Sequence, residues 1–132
     1  MTPEQNAHVK TLRGKKEIFD YVVTHLKNQG SQSLLQSLSS PNVLGCAYRG
    51  ADNKMCAVGC LIADDEYNPD MEACNINELS KEGAIPDRLE PHLWMLAELQ
   101  ALHDTPGFFS QSEEGKIRHL RRLEAYFFDV ST

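Results

Sequence analysis

The chain has 132 residues, 41% of them apolar, and a net charge of −6. That length makes one domain able to bury a core without staples, and that apolar share excludes a disordered chain. Residues 45–90 carry ten acidic side chains against four basic ones, which argues against direct nucleic-acid binding, since that needs a basic face to release counterions.

No apolar run approaches the roughly 20 residues of a membrane span. The opening stretch MTPEQNAHVKTLRGKK has no apolar segment of the secretory kind. The expectation is a soluble, cytoplasmic protein with no membrane contact, no cofactor and its four cysteines reduced.

Residues 1–14 are polar and read as a flexible N-terminal segment ahead of a single globular helical domain over 15–132. In KKEIFDYVVTHLKNQG, Ile18, Phe19, Val22 and Leu26 recur at helical spacing, and Gly30 suits a left-handed helix end. A helix over about 15–29 follows. Leu34, Leu35 and Leu38 fit a short second helix. CAYRGADNKMC reads as a β-hairpin with its turn at Gly50-Ala51-Asp52-Asn53.

CAVGCLIA reads as a short buried helix over 56–63, although Gly59 costs about 1 kcal/mol in a helix interior and so marks a close backbone approach. Residues 64–75 form an acidic loop broken by Pro69. Ile76 and Leu79 suggest another helical turn. Pro91 suits the first position of a helix whose inner face carries Leu89, Leu93, Leu96 and Leu99, widened by Trp94 and Leu102. A last helix starts near Ser110 or Ser112, with the stripe Ile117, Leu120, Leu123 and Phe127. Lys116, Arg118, Arg121 and Arg122 lie largely off that stripe, as on a solvated face. The predicted fold is mainly α, of α+β type: about four helices packed with one small β-hairpin near residues 45–56.

Three constellations could carry chemistry. Cys56 at a helix start has the setting of a reactive thiol, and His103 continues the inward leucine spacing, with Asp104 beside it. These are the parts of a nucleophile, a base and an orienter. Successive side chains on a helix diverge by about 100°, which works against Asp104 orienting its neighbour's ring. Cys46, Cys56 and Cys60, with Cys74 or His103, supply enough ligands for zinc, but the spacing lacks a CxxC knuckle. Asp64, Glu66, Asn68, Asp70 and Glu72 alternate like a calcium loop, but Pro69 replaces the turn glycine and Asn75 the bidentate glutamate.

The stretch CAYRGADNKMCAVGCLIADDEYNPDME, followed by LAELQALHD, resembles a group of small uncharacterised phage and bacterial proteins. Their pattern is C-x-YR…CAVGCLIPDExYxPxxE…LQxxHD. Cys46, Tyr48, Arg49, Cys56, Gly59, Tyr67, His103 and Asp104 match it. Ala63 stands where the group has proline, and residues 31–43 look like an insertion. The resemblance implies a phage-type setting. The expectation is then a protein that inhibits a host factor by protein–protein interaction. Its acidic surface of Asp64, Asp65, Glu66, Asp70 and Glu72 would face a basic partner, such as a host nucleic-acid-binding protein. The alternatives are a cysteine-dependent hydrolase or transferase using Cys56 and His103, and a zinc-binding protein.

Overall fold

A computed structural model describes residues 1–36 and 44–128. Helix α1 spans Pro3–Val9, and its start is a capping box: Thr2 Oγ1 accepts the Gln5 N–H, and Gln5 Oε1 accepts the Thr2 N–H. This segment was expected to be loose. It is helical instead because it is capped and because Val9 and Leu12 reach the core.

Helix α2, Lys15–Gln29, has the predicted bounds and buries Ile18, Phe19, Val22 and Leu26. Gly30 ends it at φ 70°, with its N–H on the Leu26 carbonyl.

The predicted hairpin near 45–56 is not formed. Strand β2, Leu44–Cys46, pairs antiparallel with β1, Leu34–Gln36, where a helix had been expected. Leu38 of that expected helix lies outside the described residues. Within 45–56 the pairing is a single bridge, Arg49 to Met55. The reason is close contact with the upstream chain. The Ala47 N–H bonds to the Ser33 carbonyl, and a Cβ on Gly50 would fall 2.3 Å from Ser33 Oγ. The turn itself runs through Asp52 and Asn53, both with positive φ.

CAVGCLIA is a short 3-10 turn at Gly59–Leu61, not a helix over 56–63, and every residue of it is buried. A second 3-10 turn, Pro69–Ala73, is capped by Asn68 and leads to α3, Ile76–Lys81. Pro91 sits inside a further 3-10 turn, Asp87–His92, so that α4 begins two residues later than predicted, at Leu93, and runs to His103.

Helix α4 buries Met95, Leu96, Leu99 and Leu102 in the core and packs against α2 and α3. Each such side chain contributes roughly 1.5–3 kcal/mol. Trp94, read as part of the inner face, is 56% exposed and meets Tyr126, itself 63% exposed, edge to face at 5.2 Å. Helix α5 is Pro106–Phe109, and α6, Glu113–Phe128, buries Leu120 and Phe127. The described residues are mainly helical, and no helix among them is long and apolar enough to cross a membrane.

Candidate functional site

The buried CAVG turn is held by its neighbours' backbones. A Cβ on Gly59 would lie 2.1 Å from the Tyr48 carbonyl oxygen, so only glycine fits. Arg49 reaches across the turn. Its guanidinium donates to the carbonyls of Gly59 and Ile62 and to Asp64 Oδ1, and it lies 5.1 Å from the centre of the Tyr67 ring. Glu72 completes this frame. Its carboxylate accepts the N–H groups of Tyr48 and Arg49 at 2.9 and 3.0 Å and the Tyr67 hydroxyl at 2.6 Å.

Cys56 lies inside the frame, 1% exposed, with its sulfur accepting the Gly59 N–H at 3.2 Å. Burial pushes its thiol up to about 12. Burial likewise raises Cys60, whose thiol donates to the Ala57 carbonyl. These are packed thiols, and the thiolate that nucleophilic attack requires is suppressed.

His103 is fully buried, and both ring nitrogens are engaged. Nε2 accepts the Ser33 backbone N–H at 2.8 Å, so Nδ1 carries the proton and donates to Asp104 Oδ1 at 2.9 Å. The expected divergence of neighbouring side chains fails here. Asp104 is the cap residue at the end of α4, with φ −75° and ψ −5°, and its carboxylate still reaches the neighbouring ring. Gln100 donates to the same Asp104 oxygen and accepts the Val58 N–H, which ties the CAVG turn to α4. Among the described residues no hydrogen bond joins Cys56 to His103, and the lone pair a base would use is occupied by Ser33. Of the three predicted catalytic residues, a hydrogen bond joins His103 to Asp104, and Cys56 lies in the separate Gly59 turn.

No group of three metal-ligating side chains among the described residues is placed to hold an ion. The side chain of Cys46 lies outside them, so the suggested set of Cys46, Cys56 and Cys60 is seen only in part.

Most of the predicted acidic surface is already matched within the molecule. Asp64 accepts from Asn6 and Arg49, Asp65 pairs with Lys10 at 2.6 Å, and Glu66 forms a two-pronged pair with buried Arg88 at 2.7 Å. These partners hold all three carboxyls below their ordinary range, chiefly through the bonds from Asn6, Lys10 and Arg88 respectively. Glu72 serves the frame. Asp70 alone of the five has no side-chain partner among the described residues.

A cleft of about 400 Å3 opens beside this frame, between the Pro69–Ala73 turn with α3 and the outer face of α4. Cys56 and Tyr48 form part of its floor, with Glu72, Cys74, Asn75, Gln100 and Asp104 around it, and no Lys, Arg or His lines it. Cys74 at the rim is raised by burial first and then by the fields of Glu82, Glu78 and Asp70. Those three carboxylates are exposed, and none of them lines the cleft itself.

The larger groove of about 710 Å3 between α1, α2 and residues 52–55 mixes Glu4 and Asp52 with Lys54 and carries no single charge preference. Sequence reasoning missed Glu78, Glu82, Asn75 and Gln100. The signal for the first of these was the capping box Asn75-x-x-Glu78, which fixes where α3 starts.

Comparison of the chain with protein-family models, with curated proteins and with solved structures finds no match.

Proposed function

We propose that the protein acts by binding, not by cysteine chemistry, and that the acidic cleft takes a cationic side chain from a basic protein partner. What supports this reading is the cleft's charge: Glu72 and Asp104 line it, no Lys, Arg or His among the described residues does, and the fields of Glu82, Glu78 and Asp70 reach Cys74 on its wall. A Lys or Arg that approaches Asp70, Glu78 or Glu82 meets a carboxylate with no ion pair among the described residues. The interaction surface is thus shifted from Asp64, Asp65 and Glu66, whose charges are already matched, to Asp70, Glu78 and Glu82. In the phage-type setting of the resemblance, the partner would be a host nucleic-acid-binding protein, blocked where it normally meets a phosphate backbone.

The test is capture from bacterial lysate with the whole chain at low and high salt, using three proteins: wild type, the triple variant Asp70→Lys/Glu78→Lys/Glu82→Lys, and Asp65→Lys. The expected result is one stoichiometric partner, lost at high salt and by the triple variant but kept by Asp65→Lys. A partner retained by the triple variant would contradict the reading. So would no partner at either salt.

A further inference from the structure

The acidic chain carries a separate positive depression on α6. Arg118, His119 and Arg122, with Gln111, Ser112 and Gly115, line a hollow of about 450 Å3. Neither guanidinium has an ion pair or side-chain hydrogen bond among the described residues, and Glu113 is engaged by Lys116 at 3.4 Å.

Two features here weaken the helix. Arg118 and Arg122 are like charges one turn apart, which repel. Gly115 brings the entropy cost of glycine into a helix. Its missing side chain has a visible effect, since a Cβ would come within 3.3 Å of Gln111 Cβ, Gln111 Oε1 and Ser112 Oγ. The glycine keeps the floor open.

We infer that this hollow binds a phosphate dianion. Two guanidinium forks match the oxygens of a dianion. Ser112 Oγ accepts the Gly115 N–H at 3.1 Å, which leaves its hydroxyl proton to donate to the ligand. His119 is steadied edge-on against Phe108 at 5.5 Å. The site is independent of the acidic cleft.

The experiment is an amide-resolved NMR titration of the whole chain with inorganic phosphate, at fixed pH and with ionic strength held constant by chloride. Saturable shifts centred on Gly115, Arg118 and His119 are expected. The dissociation constant should rise about tenfold or more in Arg118→Gln/Arg122→Gln. It should stay within about twofold in Arg121→Gln, whose side chain lines a different depression. Linear drift without saturation, or equal weakening in both variants, would overturn the inference. All three arginines are exposed, so none of these substitutions removes a buried side chain.

Discussion

Cys56 and His103 have the residue types of a nucleophile and a base, but their surroundings assign them other work. The thiol is desolvated and accepts a backbone N–H; the imidazole spends its lone pair on Ser33. The inward position of His103 was legible from the leucine spacing of α4. The partner on its lone pair was not, because Ser33 arrives from 70 residues away in the chain. Reactivity distinguishes the two roles. Under native conditions at neutral pH, Cys74, which is partly exposed, should alkylate with iodoacetamide, and more slowly than a free thiol because its ionisation is suppressed. Cys56 should react at least about a hundredfold more slowly than Cys74, and its rate should climb with pH without levelling until near 12. Peptide-resolved mass spectrometry reads both rates. A Cys56 that labels as fast as Cys74 at neutral pH would restore the catalytic reading.

At the scale of elements, the helices α2 and α6 were legible because each is an amphipathic stripe long enough to show its period. The hairpin and the CAVG helix were not, and for one reason. Residues 44–63 take their shape from distant contacts: β2 pairs upstream with β1, and Gly59 presses on the Tyr48 carbonyl. Gly59 itself was read as a close approach, and that was right; only the backbone it approaches lay outside the reach of local pattern. The α1 capping box, Thr2 with Gln5, was present in the sequence but passed over in a polar stretch. Gly59→Ala should cost about 3 kcal/mol, a fall in melting temperature of about 10 °C, since the added methyl meets backbone that cannot yield. Gly107→Ala, where nothing lies within 4 Å, should lose no more than about 0.5 kcal/mol. Thermal unfolding followed by circular dichroism compares them. Equal melting temperatures would remove the packing basis for the frame.

Across the whole molecule, charge is sorted by place. The carboxylates nearest α1 are consumed by Asn6 and Lys10, and Glu66 by Arg88. Asp70, Glu78 and Glu82, which act on Cys74 through their fields, have no ion pair among the described residues, and Arg118 and Arg122 of α6 form a separate positive patch. The sequence made the acidic excess of residues 45–90 plain, but a linear count does not distinguish a carboxylate that closes an internal ion pair from one that faces solvent. The most direct measurement is a residue-resolved NMR titration of the whole chain with hexalysine, at about 20 mM and about 500 mM salt. Saturable shifts at Asn75, Asn77, Gln100 and Ala101, weakened strongly at the higher salt, are the predicted result. Shifts centred on Asp64 and Asp65, or no saturable binding at the lower salt, would contradict an acidic cleft built to receive a cationic partner.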